Sequence, residues 1–183
     1  MKKIAAALFT IGCFFMVMMA NAQDVPSSDK VLSDAYTIAS KENKNVLVIF
    51  HASWCGWCKK MDAAINDTSC KALFEKSYVI VHLTVEESKE NRQLENPGAN
   101  LLKRKYKGDN AGLPFWLILN PNGDLLGDSF MRKPGESLNV PGENMGCPAA
   151  TEEVAAFCTL LKKTSSLTEA ELAIISARFK KNR

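Results

Sequence analysis

The sequence predicts a single α/β domain, on three observations. Short runs rich in Val, Ile, Leu and Phe occur at 46–50, 78–85 and 115–119, the composition of strands buried on both faces. Longer stretches between and around them carry apolar residues at helical spacing, such as Val31, Leu32, Ala35, Ile38 and Ala39. The two patterns alternate along 183 residues that are 46% hydrophobic, without internal repeats, which suits one layered domain rather than a disordered or repetitive chain.

The N-terminus opens with Lys2 and Lys3, an almost wholly apolar run over 4–20, and Ala20-Asn21-Ala22. Basic start, apolar run and small-x-small site together read as a secretory signal peptide over 1–22, with a domain over 23–183. A lipoprotein signal at Cys13 is the weaker alternative, because Thr10-Ile11-Gly12-Cys13 matches it poorly and the apolar run continues past it. The run is also short for a membrane span, so no stable span is expected in the mature chain. The formal net charge is +3 and falls when Lys2 and Lys3 leave, so there is no basic field of the kind nucleic acid requires.

After a polar leader through Asp29 with Pro26, read as mobile, a helix is predicted over 29–43 and ends before Asn45. The strand 46–50 follows. A second helical segment through Lys76 takes Asp67 or Thr68 as its cap, with Cys70 at an apolar position as a buried free thiol. The strand 78–85 is apolar except for His82 and Thr84. A polar stretch, Pro97-Gly98, and a helix over 99–106 come next, and its basic run of Lys103, Arg104, Lys105 and Lys107 reads as a solvated face. The strand 115–119, the turn Asn120-Pro121-Asn122-Gly123-Asp124 and a strand 125–130 form a hairpin. The stretch 131–148 has three glycines, three prolines and no period, so it reads as a long loop. A helix starts at Thr151, and Thr168-x-x-Glu171 is a capping box for a last one.

Chemistry concentrates in Cys55-Gly56-Trp57-Cys58. Placed between a buried strand and an amphipathic helix, Cys55 sits at a helix N-terminus, where unpaired N–H groups and the helix dipole favour an anion. A thiolate there has a lowered pKa and acts as a nucleophile, and Cys58, one turn on, can resolve a mixed disulfide. A haem attachment would need His where Lys59 stands, and a zinc site would need two further ligands, for which the other cysteines and His51 and His82 offer no close pair.

The run Val46-Leu47-Val48-Ile49-Phe50-His51-Ala52-Ser53-Trp54-Cys55-Gly56-Trp57-Cys58-Lys59 resembles the active-site strand and turn of the thioredoxin superfamily. Gly112-Leu113-Pro114-Phe115-Trp116-Leu117-Ile118-Leu119-Asn120-Pro121-Asn122-Gly123 resembles that family's cis-proline loop, strand and hairpin turn. The resemblance covers about 30–161 by element order and is closest to exported bacterial members. It implies a thioredoxin-like fold, a central mixed β-sheet with helices on both faces, to which the C-terminal helix within 166–183 is an addition. It also implies thiol–disulfide exchange with protein or peptide thiols and disulfides in the periplasm, without a cofactor or metal, and a redox partner that regenerates the site.

By the same resemblance Cys55 and Cys58 are catalytic, and Trp54, Gly56, Trp57, Leu113 and Pro114 contact substrate. Leu113–Pro114 is expected to be cis, presenting the Leu113 backbone to an extended chain. Trp57 stands where the familiar turn has proline, and either contacts substrate or covers core. Ile49 stands where many thioredoxins carry a buried acid that assists proton transfer at the resolving cysteine. His82 on the neighbouring strand, or a water, is the candidate replacement, with His51 a second group able to tune the thiols. A metal-delivery protein holding copper through Cys55, Cys58 and a histidine is the alternative from another class. Cys147 and Cys158 pair only if the loop folds back along the helix until their Cα atoms come within about 7 Å.

Overall fold

The computed structural model describes residues 25–183 other than Pro134; the segment read as a leader, with Cys13, lies outside the described residues. Four strands, β1 (Asn45–His51), β2 (Tyr78–Thr84), β3 (Phe115–Leu119) and β4 (Leu125–Asp128), form one sheet in the order β2-β1-β3-β4. β1 runs parallel to β2, with Asn45 beside Tyr78 and His51 beside Thr84, and antiparallel to β3, with Phe50 beside Phe115. β4 pairs antiparallel with β3. The sheet is therefore mixed, and β1 is central.

Side chains alternate along β1, so each face has its own core. Val46, Val48 and Phe50 pack with Leu32, Ala35 and Ala39 of α1 (Ser28–Glu42) and Ala99 of α4 (Ala99–Lys105). Leu47 and Ile49 face Met61 and Ile65 of α2 (Gly56–Ile65), Phe74 of α3 (Lys71–Ser77), Phe157 of α5 (Thr151–Thr164) and Phe179 of α6 (Glu169–Phe179). Burial on both sides is why β1 reads as an unbroken apolar run.

α6 completes that second core. Its Phe179 ring centroid lies 5.0 Å from Phe157 and 6.1 Å from Phe74. The predicted capping box forms: Thr168 Oγ1 accepts from Glu171 N, and the Glu171 carboxylate accepts from Thr168 N at 2.8 Å.

Several boundaries differ from the sequence reading. Helix α1 is stopped by Asn43 in the left-handed conformation (φ 54°), not by Asn45, which already belongs to β1. The polar stretch before it, read from the sequence as mobile, is tied down: Ser27 Oγ caps the Lys30 N–H and Pro26 O accepts from Asn96 Nδ2. The N-cap of α3 is Cys70, since the Asp67 carboxylate is occupied by Ser69 and Arg178. Lys103 is not solvated but buried, donating to Glu86 Oε1 and Ala111 O.

The predicted strand 125–130 breaks after Asp128, whose carboxylate accepts from Phe130 N and holds Arg132 at 2.5 Å. A two-stranded ribbon, β5 (Phe130–Met131) with β6 (Glu143–Asn144), therefore replaces part of the predicted loop. Arg132 also donates to Val140 O and Leu138 O, ordering the intervening turn through side-chain contacts that leave no periodic signature. Cys147 and Cys158 are not joined; both thiols are free.

Candidate active site

The sulfur pair lies where β1 hands the chain to α2. Cys55 is the N-cap of α2, in an extended conformation, and its Sγ accepts from the Cys58 N–H at 3.0 Å. Sulfur here takes the place of the Ser, Asp or Asn oxygen that ordinarily satisfies a first-turn N–H. Cys55 and Cys58 form a disulfide with S–S 2.06 Å and Cα–Cα 5.3 Å, and both residues are nearly buried. In the reduced state the same N–H and the helix N-terminal field face the Cys55 thiolate, which lowers its pKa and raises its reactivity at neutral pH.

The loop after β2 clamps the turn before the cysteines. Glu87, buried, accepts from Ser53 N and Ser53 Oγ, and Glu86 O accepts from Trp54 Nε1 at 2.8 Å. Buried Lys103 grips the Glu86 side chain from below. The sequence reading missed Glu86, Glu87 and Lys103. Their only signal was two acids shortly after a strand and a lysine among helical apolar positions, both of which read as surface.

On the other side of the disulfide, the Leu113–Pro114 peptide is cis, Pro114 is buried, and Leu113 packs against Ala52, Cys55 and Cys58. Asn144 of β6 holds this loop, its Nδ2 donating to Gly112 O and Pro114 O. A groove of about 260 Å³ runs past the site between Trp57, Leu113, Asn144, Gly146 and Cys147. Trp57 is 47% exposed and Trp54 59%, so both indoles reach solvent instead of covering core. A Cβ built on Gly56 meets nothing within 4 Å, so nothing inside the domain requires glycine there.

The structure thus gathers Cys55, Cys58 and Leu113 in one cluster and Trp57 and Leu113 on one groove, with Trp54 turned toward Glu86. His82 belongs to neither grouping. It lies beside Ile49 on β2, and its Nε2 is 2.8 Å from Asp62 Oδ1, one helical turn after Cys58 on α2. The His51 and His82 rings meet edge-on at 5.2 Å, and His51 Nε2 contacts Thr84 Oγ1. Burial, then the neighbouring His82, lowers the His51 pKa against the pull of Asp62 and Glu87, so His51 is neutral at neutral pH.

The other thiols are not activated. Burial pushes Cys147 up to about 12 and also raises Cys70 and Cys158. Among the described residues no three His, Cys, Asp or Glu side chains gather as a metal site, so the copper reading gains no third ligand. No helix among the described residues is long and apolar enough to cross a membrane.

Comparison with known proteins gives a match to the thioredoxin-like family over residues 29–121. A protein disulfide-isomerase of Hordeum vulgare is 30% identical over 138 residues, covering 74% of this chain and 24% of that protein. One from Triticum aestivum is 24% identical over 139 residues, covering 73% and 24%. This chain thus spans about a quarter of the length of the curated relatives it matches. The crystal structure of a disulphide isomerase from Xylella fastidiosa Temecula1 is 23% identical, covers 58% of this chain and 80% of that chain, and superposes with a TM-score of 0.44.

Proposed function

This chain belongs to the thioredoxin-like family, and from that premise we propose that it is a thiol–disulfide oxidoreductase acting on exported proteins through Cys55 and Cys58. The observation that carries the reading is Cys55 Sγ at the N-cap of α2, joined to Cys58 and flanked by Leu113 of the cis-proline loop.

In the reducing direction the Cys55 thiolate attacks a substrate disulfide. A bond forms between Cys55 and one substrate sulfur, and the other substrate sulfur leaves as thiolate. Cys58, deprotonated, then attacks Cys55 Sγ. The Cys55–Cys58 bond forms, the second substrate thiolate leaves, and two electrons have passed to the substrate. Oxidation of a substrate dithiol runs the same steps backward from the disulfide seen here. A redox partner restores the starting state, and no cofactor is required.

Trp54, Gly56 and Trp57 form the rim that meets substrate, and Leu113 with Pro114 lines the opposite side. His82, hydrogen-bonded to Asp62 one turn from Cys58, takes the proton-transfer role that Ile49 cannot serve. The leader-like run over 1–22 supports export, with the bacterial periplasm as the compartment.

The test is trapping. With reduced protein and a disulfide-bonded substrate, Cys58→Ser is expected to accumulate a mixed disulfide through Cys55, and Cys55→Ser none. Equal trapping by both variants, or none with either, would remove the assigned roles.

A further inference from the structure

Beside the active site lies a second, strongly cationic cleft of about 370 Å³, lined by Lys60, Ala63, Arg178, Lys181, Asn182 and Arg183. Only Arg178 is neutralised locally, by Asp67 at 2.8 Å. Lys60, Lys181 and Arg183 make no ion pair among the described residues, and each is exposed. The cleft therefore carries an excess of positive charge.

The cleft adjoins the active-site groove where Lys60 of the one meets Trp57 of the other. Lys60 Nζ sits 4.1 Å over the Trp57 ring and donates to Asn182 O. Asn182 Nδ2 donates to Cys147 Sγ at 3.2 Å, and Arg183 Nε to Ala149 O at 3.1 Å. Trp57, Cys147 and Ala149 all line the groove, so the hydrogen bonds of Asn182 and Arg183 tie the cleft's lining to that of the groove. A polypeptide leaving the groove past Trp57 meets Lys60 and then the remaining cations.

We propose that this cleft is a docking surface for acidic segments of the substrate polypeptide, selecting proteins whose cysteines are flanked by Asp or Glu. The inference rests on the exchange function proposed above. Charge complementarity is what commits it to an acidic peptide: several cations grouped along one path raise encounter rates for anionic chains, and salt screens the effect.

The experiment compares two peptides, each with one cysteine, flanked on both sides by glutamates in one and by lysines in the other. Exchange with the oxidised protein is followed at low and high salt, with dithiothreitol as an uncharged control. The glutamate peptide is expected to react about three- to tenfold faster than the lysine peptide at low salt. That ratio should fall toward one in ~1 M salt, where the Debye length is only about 3 Å, and toward one in Lys181→Glu/Arg183→Glu. Equal rates for the two peptides overturn the proposal, as does a preference that the double variant retains. Inhibition by inorganic phosphate as strong as by a cysteine-free glutamate peptide would also overturn it, leaving only an ion site. If dithiothreitol itself fails to reduce Cys55–Cys58, the exchange function fails separately. Fluorescence anisotropy of a labelled cysteine-free glutamate peptide then decides the docking surface alone: salt-sensitive binding lost in the double variant sustains it, and absence of binding overturns it.

Discussion

Cys55 and Cys58 are legible in the sequence because their chemistry depends on local order, a buried strand followed at once by a helix. The groups that hold them are not legible for the opposite reason. Glu87 meets Ser53 across 34 positions and Lys103 meets Glu86 across 17, so their burial depends on partners that no local pattern announces. A charged side chain is almost never buried unless paired, and a single sequence does not show the pairing. His82 lies between these cases. Its neighbour Ile49 follows from strand order, but its bond to Asp62 appears only once α2 is folded over β2. With Asp62 on the same helix as Cys58, the proton-transfer role proposed for His82 runs through that carboxylate. His82→Gln is expected to slow resolution of a Cys55 mixed disulfide by about a hundredfold, the low end for a lost acid–base group, and to change its pH profile. Stopped-flow resolution rates across pH check this, with Asp62→Asn as the second variant. A profile that kept its shape in both would assign the two residues to structure alone.

At the scale of elements, helices announced by periodicity and caps were readable, while the segment 131–148 was not. Its order comes from Arg132, whose guanidinium reaches Asp128, Leu138 and Val140 at once. Glycine and proline content describes the freedom of such a segment but not the side chain that removes it. The capping box of α6 was legible, since Thr168 and Glu171 are three residues apart, and it has a consequence for acid stability. The Lys76 ammonium, then the Thr168 N–H and hydroxyl, hold the Glu171 carboxyl down from its ordinary 4.5 to about 2. A carboxylate whose pKa is lower in the folded state contributes stability above its unfolded value and loses it as pH falls through the folded one. The stability gap between wild type and Glu171→Gln is therefore expected to be constant near neutrality and to close between about 4.5 and about 2. Urea midpoints measured across that range test it; a gap independent of pH would show that the charge of Glu171 contributes nothing.

For the whole molecule, the resemblance carried the sheet and its order of elements but left α6 outside the core, as an extension over 166–183. Periodicity identified the apolar stripe of Leu172, Ile175 and Phe179 without identifying what it covers. In the folded chain that stripe shares one core with Leu47 and Ile49 of the central strand, and the turn after it reaches Cys147 and Ala149 on the groove wall. Phe179 is fully buried between Phe74 and Phe157. Truncating such a ring costs about 3–5 kcal/mol, the lost transfer energy plus the cavity it leaves. Domains of ordinary stability hold only about 5–15 kcal/mol. Phe179→Ala is therefore expected to lower the urea midpoint by a large fraction at unchanged slope, and a chain ending at Ser165 to lose its cooperative transition. If the truncated chain unfolded cooperatively with a midpoint near that of the wild type, α6 would be an appendage and 30–161 would suffice as a folding unit. Because α6 and the active-site helix α2 close the same core, the expected loss of cooperativity would extend to the disulfide. Its rate of reduction by dithiothreitol should rise in Phe179→Ala, as local opening exposes sulfurs that the native packing nearly buries.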